Sequence, residues 1–313
     1  MPTVSNRWCK PFASYFRKTA MPRKPQMASS RGAAYLELVK PRILIMVLVS
    51  TFLGFTLGSG SAWNGILLLH TLIGVALVKG GAAALNHYLE RDTDALMERT
   101  RYRPLPAGLI PPANALAFGV MLVLGGVTYL VWNVNLLTGF LGLLTAFLYV
   151  LVYTPLKRVT WLNTTIGAIP GALPAMGGWT AATGSLDAGA WILFGILFFW
   201  QHPHFYSIAL LYREEYRDAG LVMLPGEDPS GQRTFRQILF HSIALLILSL
   251  FPYFLGLSGP AYLGGVVAAG LGYLLAGLPL RNHPTRTAAL RLLKSSVIYL
   301  PLMMILILLD SQV

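Results

Sequence analysis

Residues 65–105 read GILLLHTLIGVALVKGGAAALNHYLERDTDALMERTRYRPL, and the change of character halfway along decides the fold. Gly65 to Leu85 is an apolar run of the length that a helix needs to cross about 30 Å of hydrocarbon. Charge then enters abruptly. If the helix continues past the membrane face, Asn86, Glu90 and Asp94, spaced by four, form one polar stripe roughly 12 Å long.

The rest of the chain repeats the apolar theme. Hydrophobic residues make up 55% of 313 and charged residues only 12%, and the mean hydropathy is +0.60. Soluble domains carry about a quarter charged residues, so a water-facing surface is excluded and an all-α polytopic membrane protein is expected. Nine spans are predicted: Ile43–Ser59, Gly65–Leu85, Ala113–Trp132, Leu136–Tyr153, Asn163–Ala182, Ala190–Leu210, Gln237–Gly256, Tyr262–Leu280 and Leu292–Leu309. The fifth holds Pro170, Pro174 and several glycines, which is tolerated where backbone is buried in protein or lines a cavity. The single Cys9 excludes an intramolecular disulfide and a thiolate metal cluster.

With nine spans, 23 of the 24 Lys and Arg residues fall on one side of the membrane. The positive-inside rule makes that side cytoplasmic, or the matrix side in an organelle. This accounts for the net charge of +12 without nucleic acid. Lys79 is the exception, and is read as a lysine snorkelling to the nearby interface rather than as a phosphate contact. The expected organisation is a basic, disordered tail over 1–34 and a membrane-embedded domain over 35–313. The tail has two readings: a segment drawn to anionic lipid, or an Arg-rich, acid-free mitochondrial presequence. A bacterial inner membrane is expected, with the mitochondrial inner membrane as the alternative.

Only twelve acids exist, and seven sit in two short segments on the basic side: Glu90, Asp92, Asp94 and Glu98 after the second span, and Glu214, Glu215 and Asp218 after the sixth. The segments lie four helices apart, which suggests two four-helix halves with a ninth helix appended. Oxygen ligands on one stripe suit Mg²⁺, which binds through a few carboxylates while substrate phosphates complete its shell. Arg99 and Arg103 are suited to holding phosphate oxygens. The plainer alternative is a solvated loop whose acids pair with its own arginines.

Asn86-x3-Glu90-x3-Asp94, followed by Arg99-Thr100 and Arg103-Pro104-Leu105, resembles the first aspartate-rich motif of the intramembrane UbiA-type prenyltransferases. The likeness runs from about Tyr35 to Leu309. It is strongest to the heme-farnesylating branch, through Tyr153-Thr154-x2-Lys157-Arg158-x-Thr160-x2-Asn163, then Trp200-Gln201-x-Pro203-His204-Phe205 and Tyr212-x2-Glu215-Tyr216. The resemblance implies a nine-helix UbiA-type bundle that binds farnesyl diphosphate through Mg²⁺ held by Asn86, Glu90, Asp94, Glu215 and Asp218. It implies transfer of the farnesyl group to the 2-vinyl group of heme b, giving heme O. It also implies contacts to substrate from Arg99, Arg103, Tyr153, Lys157, Arg158, Asn163, His204 and Tyr216, with heme propionates on Lys157 or Arg158. Heme A synthase or terminal-oxidase assembly proteins would be downstream partners.

In the second motif the general D-x3-D spacing selects Glu214 and Asp218, whereas the heme-type pattern selects Glu215, which is preferred here with Asp218 second. Phe198, Phe199, Trp200, Phe205 and Tyr206 are candidate faces for an allylic carbocation. His204 is expected to face the heme and His202 not, since two helical residues two apart are rotated by roughly 200°. The rivals are a quinone-type or chlorophyll-type prenyltransferase, a heme-handling protein, and a transporter. A transporter would carry its polar residues near the midplane rather than at one face.

Overall fold

A computed structural model describes residues 30–282 and 284–311. Of the tail expected over 1–34, residues 1–29, and with them both of its readings, lie outside the described residues, while Arg31–Ala34 open helix α1 with Ser30 as its cap instead of being disordered. The helices are α1 (Arg31–Leu38), α2 (Pro41–Ser59), α3 (Gly65–Leu96), α4 (Pro112–Asn133), α5 (Leu136–Leu156), α6 (Asn163–Thr183), α7 (Ala188–Leu211), α8 (Arg213–Asp218), α9 (Gln232–Leu248), α10 (Pro260–Gly277) and α11 (Arg286–Leu309). The nine long ones fall on the nine predicted spans. Seven are both long and apolar enough to cross a membrane: α2 to α5, and α9 to α11.

The other two, α6 and α7, are central. α6 packs against α2, α5 and α7, while α7 also packs against α9 and α11. Helices surrounded by protein need not be as apolar as those facing lipid, which is why α6 carries Pro170 and Pro174 and α7 carries Gln201, His202 and Pro203. The α2–α6 crossing is close because it is built on glycine. A Cβ on Gly54 would stand 2.0 Å from the Ala175 carbonyl oxygen, and one on Gly178 would stand 2.0 Å from that of Thr51. Between lipid-facing helices the hydrophobic effect adds little, so such backbone approach supplies the association.

α3 is the element that makes the site. Its 32 residues span about 48 Å, well beyond the hydrocarbon thickness, so its last three turns project from the membrane as one unbroken helix. Asn64 caps its start by accepting from the Ile66 and Leu67 amides. Thr100 seals its end by donating to the Asp94 carbonyl at 2.9 Å. α5 ends differently: Leu148–Tyr153 widens into a π-helical turn that presents Tyr149 and Tyr153 toward the same region.

Candidate active site

The polar stripe of α3 is a row of three side chains, each engaged by a cation. Asn86 Oδ1 accepts from Lys40 Nζ at 2.7 Å. Glu90 Oε1 accepts from Lys157 Nζ at 2.6 Å. Both oxygens of Asp94, only 1% exposed, accept from Arg103 Nη1 at 2.7 and 2.8 Å. The plainer alternative, acids pairing with their own loop, holds for Asp94 with Arg103 and for exposed Asp92 with Arg91. Glu90 is different: it reaches across to the segment between α5 and α6.

Around this row the packing is polar and closed. Asn86 Nδ2 donates to Thr154 Oγ1 at 3.0 Å, and Thr154 donates onward to the Tyr149 carbonyl. Arg158 donates to Thr93 Oγ1. Lys157 Nζ lies 4.5 Å from the Tyr153 ring centroid, and Tyr149 stacks on Tyr153. Tyr153 is admitted by Gly167, where a Cβ would stand 2.4 Å from the ring. Burial pushes Lys40 down to about 7, with Arg103 adding to the effect and Glu90 opposing it. Burial also works against charge on Lys157, but Tyr153 and Glu90 outweigh it and hold this lysine above the ordinary range.

The second motif joins from the other side. The Val222 amide donates to the Lys157 carbonyl at 2.8 Å, and Asn163 Nδ2 donates to the Val222 carbonyl at 2.6 Å. Arg99, from the loop after α3, donates to the Tyr216 hydroxyl at 3.1 Å and lies over the Tyr212 ring. Tyr216 is therefore a strut between the two motifs, while Asn163 ties the start of α6 to the loop after α8. Within α8, Glu215 is half-buried and its Oε2 is enclosed with no hydrogen-bond partner, while Glu214 is exposed. Asp218 is 70% exposed and pairs with Arg217.

That enclosed, unpartnered carboxylate oxygen is the feature best suited to taking a cation. Asn86, Glu90 and Asp94 offer oxygen donors of the hard type that Mg²⁺ takes, and Glu215 offers another from the second motif. Among the described residues no three acids, histidines or cysteines converge into a complete metal cage. A bound Mg²⁺ would therefore complete its shell from substrate phosphates and water, its usual habit.

Other expectations resolve geometrically. His202 and His204 point to different neighbours, as their helical rotation requires. His202 Nδ1 donates to the Phe198 carbonyl, its Nε2 accepts from Thr165, and its ring stacks on His241 at 3.7 Å. Both of its nitrogens are spent. His204 Nδ1 bonds Ser296 Oγ at 2.8 Å on α11, and that hydroxyl donates to the Leu293 carbonyl. Nδ1 must therefore carry the proton, which leaves Nε2 with its lone pair. His204 thus sits on the α7–α11 seam, apart from the α3 stripe.

The candidate aromatic set of α7 is mainly packing. Phe198 and Phe199 contact His202 and His241, Trp200 donates to the Ser296 carbonyl, and Tyr206 is fully buried. The rings beside the stripe are Tyr149 and Tyr153 instead. Lys79 does not snorkel outward. Its Nζ lies 4.4 Å from the Tyr149 ring centroid, and its stem lines a cavity with Val47, Val78, Leu141, Thr145 and Pro174. Lys40 and the hydroxyl of Thr154 were missed. Lys40 reads in sequence as one more basic flank of a span, and Thr154 lies inside a matched motif with no chemistry of its own.

The comparisons agree with this geometry. The description "UbiA prenyltransferase family" matches residues 47–298. The protoheme IX farnesyltransferase of Solibacter usitatus is 47% identical over 285 residues, covering 88% of this chain and 98% of that one. That of Salinibacter ruber is 46% identical over 276 residues with the same coverage. Among solved structures, a digeranylgeranylglyceryl phosphate synthase superposes with a TM-score of 0.77 at 19% identity, over 90% of this chain and 98% of that one. A UbiA homologue from Archaeoglobus fulgidus bound to DMAPP and Mg²⁺ gives 0.64 at 17%, over 87% and 98%. From the profile, the relatives and the fold together, the chain belongs to the UbiA prenyltransferase family.

Proposed function

We propose that this chain transfers the farnesyl group of farnesyl diphosphate to the 2-vinyl group of heme b, with water added, to give heme O. The observation that carries this reading is 46–47% identity along 88% of the chain with relatives of that activity. The site's chemistry supports it. Asn86, Glu90, Asp94 and Glu215 would hold Mg²⁺, which when bound offsets the negative charge developing on the diphosphate.

Arg103 and Lys157, which pair with Asp94 and Glu90 on the stripe, and Arg99 in the loop after α3 would serve as diphosphate contacts. The allylic C–O bond breaks with its electron pair leaving on the diphosphate. The vinyl π pair of heme b then bonds to the freed farnesyl carbon. Water adds to the resulting cation and loses its proton. Tyr149 and Tyr153 present rings beside Lys157 and the α3 stripe and would be placed to stabilise an allylic cation formed there.

His204 would approach the heme from the α7–α11 seam, since its Nε2 lone pair is the form that ligates iron and Ser296 fixes the other nitrogen. Arg158 would meet a heme propionate at the rim. The basic face supports a site on the cytoplasmic side of a bacterial inner membrane, from which the product would pass to oxidase assembly.

The test is to incubate the purified protein in lipid with heme b, farnesyl diphosphate and Mg²⁺, and to identify products by mass. The expected product is heme b bearing one farnesyl group and one hydroxyl. Failure to modify heme, with prenylation of a quinone precursor such as 4-hydroxybenzoate instead, would overturn the acceptor assignment.

A further inference from the structure

Lys40 is the only described residue other than glycine with a positive φ, at φ 54° and ψ 65°. A side chain with a Cβ resists this left-handed region. Its position directly before Pro41 does not relieve that resistance, because such residues favour extended backbone. The conformation is held locally: the Lys40 amide donates to the Glu37 carbonyl, and the Lys40 carbonyl accepts from the Ile43 and Leu44 amides. What it achieves is to turn the side chain inward, where Nζ meets Asn86 Oδ1 at 2.7 Å.

The Asn86 amide has no freedom in this contact. Its Nδ2 must face Thr154, because the Thr154 hydroxyl proton is committed to the Tyr149 carbonyl and the hydroxyl can only accept. Oδ1 is therefore aimed at Lys40. It is also the atom that a divalent cation would need.

We infer that Lys40 is a placeholder for the metal, engaging the Asn86 oxygen that the metal would take and moving onto the diphosphate when the metal and substrate arrive together. Lys157 on Glu90 and Arg103 on Asp94 stand in the same relation to their oxygens. Lys157 and Arg103 each have an anionic partner without substrate and another with it, while Lys40 exchanges a neutral amide oxygen for an anion, so the exchange leaves none of the three without a partner. A metal alone must displace these cations with nothing to receive them. A metal arriving with diphosphate supplies the receiver. This rests on the proposed Mg²⁺-diphosphate reading, and goes beyond it by predicting opposite effects of one residue on metal and on pyrophosphate.

The test uses the full chain in lipid nanodiscs. Binding of Mn²⁺ alone is followed by the loss of its free-ion EPR signal, and binding of ³²P-pyrophosphate is followed at saturating Mg²⁺. Lys40→Met should bind Mn²⁺ alone about 10-fold more tightly than wild type, and pyrophosphate about 10-fold more weakly, as expected for loss of one charged hydrogen bond. Lys40→Gln, which can still donate to Asn86 without a charge, guards against a packing defect and should move both constants in the same directions by less. Lys40→Arg should restore pyrophosphate binding. Unchanged or weaker Mn²⁺ binding in both neutral variants, in protein whose wild type binds both ligands and makes product, would overturn the placeholder and leave the proposed activity standing. A wild type that binds neither ligand would overturn both.

Discussion

The two acidic motifs look alike in sequence and are built differently. The first is rigid, buried and fully matched: an uninterrupted helix carries Asn86, Glu90 and Asp94, and every one has a cation on it. The second is a six-residue helix at the surface in which Glu214 and Asp218 are exposed and one Glu215 oxygen alone is enclosed and unpartnered. The difference teaches that spacing locates a motif, while burial decides which of its acids can act. A carboxylate in water gains little by binding a metal, whereas an enclosed unpaired oxygen gains a great deal.

Replacing the most buried acid should break the comparison hardest. Asp94→Asn removes an anionic ligand and leaves Arg103 without its counter-charge, so transfer should fall by about 10²–10³-fold. Heme binding, followed by the Soret band, should stay near wild type, because the proposed iron ligand His204 lies on the α7–α11 seam. In the second motif, Glu215→Gln should lower transfer by about 10–100-fold. Glu214→Gln and Asp218→Asn should stay within a few-fold. Measuring transfer and the apparent Mg²⁺ requirement of the three side by side checks this, and a larger defect for Glu214 would reverse the assignment.

The histidines sharpen the comparison on the acceptor side. His204→Ala should weaken heme binding by about 10-fold and shift the Soret band, as loss of an axial ligand would. His202→Ala should leave the band in place and instead lower thermal stability, since its two hydrogen bonds and the His241 stack are lost. A Soret shift in His202→Ala alone would invert the two roles.

Much of this was legible because a membrane imposes simple rules. Apolar length gave the nine helices, and the Asn86, Glu90 and Asp94 spacing gave the polar stripe on α3. What stayed hidden depends on contacts between distant segments. Lys40 meets Asn86 across 46 positions, and Lys157 meets Glu90 across 67. Neither pairing leaves a periodic trace. The backbone turn at Lys40 is also silent in sequence, since nothing about Lys-Pro predicts a left-handed lysine. Lys79 was misread for the same reason: its Tyr149 partner comes from the π-helical turn of α5, and hydropathy does not report a π turn.

The central claim is that the α3 stripe and Glu215 together hold Mg²⁺ on a departing diphosphate. It is tested most directly by heme-dependent pyrophosphate release from farnesyl diphosphate, titrated with Mg²⁺ in wild type and Asp94→Asn. The account predicts no release in the wild type without a divalent ion, saturable release with it, and about 10²-fold less in Asp94→Asn at every Mg²⁺ concentration. Release at the wild-type rate after chelation, or an Asp94→Asn titration superposable on the wild type, would contradict it.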